Sequence, residues 1–163
     1  MHCAPWRTHS CVPCPDSSGH LFMTPPSTKA RVLFICIGNS CRSQMAEGFA
    51  RTYGADVMIP ASAGLAPAFM VAQDTVRAMD EKNIDLRDQF PKSIKQLGRA
   101  QFDFVVNMSG FDVPPDIDTP VRDWDVPDPV AEDYETHCKI RDEIETRVMG
   151  LILELRRAAD DGR

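Results

Sequence analysis

The chain has 163 residues, a hydrophobic fraction of 43% and a formal net charge of -6. That suits one domain with a real core, and the acidic balance argues against nucleic acid or an anionic membrane as partner, because both need a basic surface. No apolar run approaches the ~18 residues that would span a bilayer, and six cysteines in a chain this long do not make a disulfide scaffold, so the expectation is a soluble, cytoplasmic protein whose thiols are free, metal-bound or catalytic.

Residues 1–29 are rich in Pro, Ser and Thr and show no period, which predicts a disordered leader, with Met23 as an alternative start. The leader carries Cys3, Cys11 and Cys14 with His2, His9 and His20. Cys11 and Cys14 have the spacing of half a zinc site, although an unstructured tail explains them as well. The domain proper is expected over residues 30–160, with no internal repeat.

From Arg31 the pattern becomes regular. Residues 31–37, "RVLFICI", read as a buried strand, and 40–54 as a helix that Gly54 stops. A second short strand and a turn follow over 56–64. Residues 68–84 are helical in period, with Val71, Thr75, Ala78 and Met79 on one side, and 92–100 form a short helix. Residues 102–109, "FDFVVNMS", are a third strand, and 120–129, "PVRDWDVPDP", a fourth leading into a proline-bounded loop. Residues 133–158 form a long amphipathic helix, its apolar stripe made by Ile140, Ile144, Val148, Leu151, Ile152 and Leu155. Strands alternating with helices imply an α/β fold, a parallel sheet covered on both faces.

The chemistry concentrates in Cys36-Ile37-Gly38-Asn39-Ser40-Cys41-Arg42-Ser43. A strand that feeds a glycine-containing loop and then a helix presents backbone N–H groups and a helix N-terminus to an anion. Gly38 and Asn39 are residue types that tolerate unusual backbone angles. A thiol at the strand end faces this positive field, which favours the thiolate. Arg42 can bond two oxygens of a tetrahedral oxyanion at once, and Ser43 can donate to the sulfur. A lone buried cysteine would mean little; the whole string between strand and helix points to a nucleophile in a phosphate-sized nest.

This string resembles the active-site loop of the low-molecular-weight protein tyrosine phosphatases and of the thioredoxin-coupled arsenate reductases that share their fold. The likeness covers about residues 31–157 and includes Ser62-Ala63-Gly64 after the second strand, Asp128-Pro129 in the acid loop and the final helix. It implies a single doubly wound four-stranded parallel sheet with the site at the carboxyl ends of the strands. It also implies that Cys36 attacks phosphorus, that Arg42 with the N–H groups of Ile37, Gly38, Asn39, Ser40, Cys41 and Ser43 holds the oxygens, and that Asp128 protonates the leaving group. Ser62 would bond Asn39 and support the loop. Cys41 would either trap Cys36 as a disulfide or simply pack. No cofactor or metal is implied: Lys92 falls near the place where some of the reductases bring a carboxylate to a potassium site, and a lysine supplies the charge itself.

The two branches diverge outside the loop. Gln44 stands where the phosphatases usually carry Pro, which leans toward the reductases. A reductase of this kind needs a second cysteine just after the third strand, and that position falls at Ser109, with Cys138 next, inside the last helix. Phosphotyrosine binders place aromatics after Asp-Pro, whereas Val130 and Ala131 follow here; Phe69 or Met70 would form one wall or else start a helix packed into the core. The sequence therefore puts a cysteine-dependent phosphatase first, acting on a phosphorylated protein or a small phosphomonoester. An arsenate reductase using an external thiol comes second, and a non-catalytic anion-binding module third.

Overall fold

The computed structural model describes residues 29–98, 100–115 and 117–161. The leader, apart from Lys29, lies outside the described residues, and so do Cys3, Cys11, Cys14 and their zinc reading. Four strands, β1 (Ala30–Cys36), β2 (Met58–Gly64), β3 (Phe104–Asn107) and β4 (Val121–Asp123), form one parallel sheet in the order β2-β1-β3-β4. Three helices, α1 (Arg42–Tyr53), α2 (Gln73–Asp80) and α3 (Tyr134–Asp161), and a 3-10 turn, Ile94–Leu97, complete it.

β1 pairs with β2 on one side, Cys36 opposite Gly64, and with β3 on the other, Ile35 opposite Asn107. The chain leaves β1 toward β2 and then returns past β1 to β3. That reversal opens a crevice at the carboxyl end of β1, where the conspicuous cysteine stands.

The two faces of the sheet are covered unequally. Val32, Phe34, Phe104 and Val106 point to one face, where Met45, Phe49, Ile144, Val148 and Ile152 of α1 and α3 close over them. α2 joins this side through Met79. Gly48 allows the approach: a Cβ there would stand 2.9 Å from Leu86 Cδ2 and 3.1 Å from Met79 Cε. Leu33, Ile35, Ala63 and Val105 form the opposite face, covered by the 3-10 turn with Ile94 and Leu97 and by loop residues such as Phe102, Val113 and Ile117.

α2 begins at Gln73 rather than near Ala68. Residues 65–72 run beside the cysteine loop instead, with the N–H groups of Leu65, Ala66, Ala68 and Ala72 bonding the carbonyls of Cys36, Ile37, Gly38 and Ser40. Those N–H groups are satisfied without a helix, and Pro67 has none to give. Phe69 is 96% exposed in consequence, so the reading of Phe69 and Met70 as a helix turn packed into the core is corrected: Phe69 faces solvent and Met70 lines the cleft beside the loop.

Candidate active site

The crevice floor is the loop from Cys36 to Ser43. Cys36, at the end of the central strand, is 2% exposed. Its Sγ lies 2.9 Å from Ser43 Oγ in the first turn of α1. That turn carries no acidic side chain and receives no side-chain cap, which leaves the positive end of the helix to an incoming anion. Asn39 takes the left-handed conformation at φ 46°. Gly38 does not have positive φ, so of the two residues expected to need unusual angles only Asn39 does. Gly64 is where space is scarce: a Cβ there would meet Ile37 O at 2.7 Å and Asn39 N at 2.9 Å.

Arg42, the first residue of α1, is 4% exposed. Its Nη1 donates to the carbonyls of Met108, just past β3, and Val126, in the acid loop. Nη2 pairs with the Asp128 carboxylate, and Nε has no hydrogen-bond partner among the described residues. A buried guanidinium N–H without a partner costs free energy, and a tetrahedral oxyanion seated over the loop relieves that cost.

Asp128 also accepts from the N–H of Val130 at 3.2 Å. Its loop is held from beneath: Val126 is buried in the core, Trp124 packs on Phe34 at 6.1 Å between ring centroids, and Arg147 of α3 bonds Asp125 O at 2.8 Å. The structure thus brings Arg42 of α1 against Asp128 of the loop after β4, at the loop that begins with Cys36 of β1. Val130 and Ala131 follow Asp128 at the surface, where the phosphotyrosine resemblance expects aromatics.

Asn39 and Ser62 do bond, with Asn39 Nδ2 donating at 2.9 Å. Ser40, Cys41 and Met70 line an open cleft beside the loop, together with Gln73, Val130 and His137. Cys41 is 2% exposed, and burial pushes its thiol above the ordinary value, which keeps it protonated at neutral pH.

Other residues support the loop in ways that sequence reasoning did not give: it used Gln44 only to mark the branch and passed over Glu47. Gln44 Nε2 bridges Asn39 O at 2.9 Å and Phe90 O at 3.1 Å. Glu47, 1% exposed, accepts from Ser62 Oγ and pairs with Arg51 and with Lys92 Nζ, the last at 3.6 Å. Glu47 lies four residues after Ser43 on the stripe of α1 that faces the sheet; a carboxylate in a buried stripe was a signal available in the sequence.

Two thiol positions bear on the chemistry. Ser109 is buried beside the Arg42 anchor, with its Oγ donating to Asn107 Oδ1 at 2.7 Å and accepting from Phe111 N at 3.1 Å. Cys138 sits on α3 against Glu81, just past the C-terminal end of α2, with Sγ 3.9 Å from Oε2. α2 meets the loop through its N-terminal end, where Ala72 bonds Ser40, and His137, next to Cys138 in α3, lines the cleft beside that loop. Among the described residues no cluster of three His, Cys, Asp or Glu is arranged to hold a metal, and no helix is long and apolar enough to cross a membrane.

A buried thiol at the switch point of a four-stranded parallel sheet, followed by a glycine loop, a helix N-terminus and an arginine paired with a carboxylate, points to a class of thiol enzymes that handle oxyanions. Residues 31–113 match the low molecular weight phosphotyrosine protein phosphatase family, and the chain belongs to it. Within that superfamily it is 35% identical over 129 residues to the glutaredoxin arsenate reductase of Synechocystis, an alignment covering 77% of this chain and 98% of the relative. A solved arsenate reductase in a phosphate-binding state superposes with a TM-score of 0.71 at 34% identity, over 77% of this chain and 98% of its own. The low molecular weight protein tyrosine phosphatase of T. tengcongensis superposes with a TM-score of 0.65 at 26% identity, over 78% and 100%.

Proposed function

We propose that this enzyme is an arsenate reductase that takes its electrons from thiols outside its catalytic fold. The observation that carries the reading is the gradient of likeness: the Synechocystis arsenate reductase stands at 35% identity over 98% of its length, against 26% for the tyrosine phosphatase. This reverses the order that the sequence suggested. Ser109 had ranked the phosphatase first, because no internal resolving thiol stands at that position. An external thiol removes the objection.

Cys36 thiolate attacks arsenic in arsenate. One oxygen leaves with the proton of Asp128 and departs as water, while Arg42 and the loop N–H groups hold the others. The product is a thioester of arsenic(V) on Cys36. An external thiolate then attacks the Cys36 sulfur. The electron pair of the S–As bond passes to arsenic, which leaves as arsenite, arsenic(III), and the two sulfurs are joined as a mixed disulfide. A second external thiol attacks that disulfide and returns Cys36 to the thiolate. Cys41 is a poor internal substitute, since its burial keeps it a thiol and a Cys36–Cys41 bond would collapse the nest. The likeness to the glutaredoxin arsenate reductase of Synechocystis supports a glutaredoxin-type donor.

Phosphomonoester hydrolysis remains the second reading, supported by the serine at position 109. The deciding experiment measures arsenite formed from arsenate with glutathione and glutaredoxin, or with thioredoxin and its reductase, alongside aryl phosphate hydrolysis. Arsenite turnover with a mixed disulfide on Cys36, seen by mass spectrometry, is the expected result. Rapid aryl phosphate hydrolysis with arsenate untouched would overturn it.

A further inference from the structure

The hydrogen bonds beneath the loop run in one direction, and two groups outside the loop set that direction. Lys92 N–H can only donate, and it donates to an Asn39 side-chain oxygen at 2.8 Å. This fixes which end of the Asn39 amide is oxygen. Both hydrogens of Asn39 Nδ2 are then spent, one on Ser43 Oγ at 2.8 Å and one on Ser62 Oγ at 2.9 Å. Ser62 can accept because its own hydrogen goes to the Glu47 carboxylate, which has none to offer. Ser43, an acceptor from Asn39, keeps its hydrogen for the Cys36 sulfur 2.9 Å away. The chain therefore ends on a donor aimed at the sulfur, which favours the thiolate.

The arrangement carries a cost of its own. Glu47 serves as a pure acceptor, and a buried carboxylate on the same hydrogen-bonded chain as Cys36 opposes a second negative charge on sulfur; Arg51 pairs with its Oε1 and leaves Oε2 to Ser62 and Lys92. Lys92 answers this as well. Its ammonium stands 3.6 Å from Glu47 Oε2, with a side chain only 15% exposed, and within 3.4 Å of Phe90 O. The Lys92 carbonyl accepts from Gly64 N at 2.8 Å, so the residue is tied to the end of β2 as well as to the loop.

We infer that Lys92 is a positioning residue for Cys36: its backbone N–H orients Asn39, and its ammonium, at the Glu47 oxygen that Arg51 leaves free, completes the offset of that carboxylate's charge, so that the chain can point a donor at the thiolate with a smaller penalty from a buried negative charge. This rests on Cys36 as the nucleophile and holds whichever oxyanion is the substrate. The other charged or titratable groups around this chain, Arg51 on Glu47 and Arg42, Asp128 and Cys41 about the loop, are left in place by the variants that test it.

The test is the pH profile of Cys36 alkylation by iodoacetamide in the full chain, read at that cysteine by peptide mass spectrometry. Lys92→Met keeps the backbone N–H and removes the charge. It is expected to raise the profile midpoint by about 0.5 to 1, a roughly three- to tenfold slower alkylation below the midpoint, and Lys92→Arg is expected to restore it. Glu47→Gln leaves the ammonium unopposed and is expected to move the midpoint the other way, which keeps the inference testable if Lys92→Met fails to fold. A midpoint unmoved in folded Lys92→Met, or moved in the same direction by both substitutions, would overturn it. Alkylation needs no oxyanion, so failure to reduce arsenate would leave this result standing.

Discussion

The loop after β1 and the loop after β3 lie side by side at the same end of the sheet, and they carry unequal chemistry. The first holds a buried thiol, a hydroxyl at 2.9 Å from it and an arginine. The second, residues 108–113, contributes a carbonyl to Arg42 and closes on itself through Ser109 and Asn107, with no thiol. On the proposed function, the first loop is the half that binds and activates an oxyanion, while the half that would return electrons to Cys36 is a hydrogen-bonded turn. The two tasks are separable: a fold can keep oxyanion chemistry and delegate reduction, because the return of electrons needs only access to one sulfur.

The contrast breaks most severely at Cys36. Cys36→Ser is expected to lower turnover by at least about 10³-fold, because the alkoxide is scarce at neutral pH and a serine oxygen cannot be carried into a mixed disulfide. Binding of inorganic phosphate, followed by calorimetry, should persist because Arg42 and the N–H groups remain. Activity above a few per cent would remove Cys36 as nucleophile. Asp128→Asn is expected to lower kcat by roughly 10²–10⁴, the usual worth of acid–base catalysis. Its effect on oxyanion affinity should be small or favourable, since it frees Arg42 Nη2; a loss expressed only in KM would contradict the acid role.

Gly64→Ala sharpens the comparison by disturbing one loop alone. The added methyl meets backbone at 2.7 and 2.9 Å, so an overpacking cost of about 1–3 kcal/mol is expected in a urea titration. Ser109→Ala should change arsenate addition at Cys36, measured in a single turnover, by less than about threefold, because its lost hydrogen bonds, about 1 kcal/mol each, support the second loop. A large loss there would show that the two loops are not separable. The smallest effect concerns Cys41. Burial raises its thiol above the ordinary 9.0, so the folded state binds that proton more tightly than the unfolded chain. The stabilisation is complete below the unfolded thiol value and is lost as pH rises through the folded one. Cys41→Ala should flatten the decline of melting temperature above about pH 9.

Most elements were legible because their periods were clean: β1 is a continuous apolar run, and the Ile140 to Leu155 stripe of α3 is regular. Cys36, Arg42 and Asp128 were legible because a short string holds two of them and a proline marks the third. Backbone partners were not. The carbonyls of Met108 and Val126 that aim Arg42 carry no residue identity, and any side chain could have stood there. The start of α2 was misplaced because residues 68–72 keep a helical period while their N–H groups pair with the neighbouring loop. Lys92 was visible as a charge, but its pairing with Glu47 across 45 positions of sequence appears only once β2 has brought Gly64 to the Lys92 carbonyl.

The unequal cover of the sheet bears on which parts of the molecule breathe. Amide hydrogen exchange samples local openings, and these begin where little apolar surface holds the backbone down. The 3-10 turn and the loops over Leu33 and Val105 form such a layer, thin and partly exposed. The turn Ile94–Leu97 and the loop residues around Phe102, Val113 and Ile117 should take up deuterium early, while Val32–Cys36, central in the sheet and sealed by α1 and α3 through Val32, Phe34 and Cys36, should rank among the last. The nucleophile would then be carried by one of the slowest-exchanging strands, and its loop would hold its shape through fluctuations that open the opposite face.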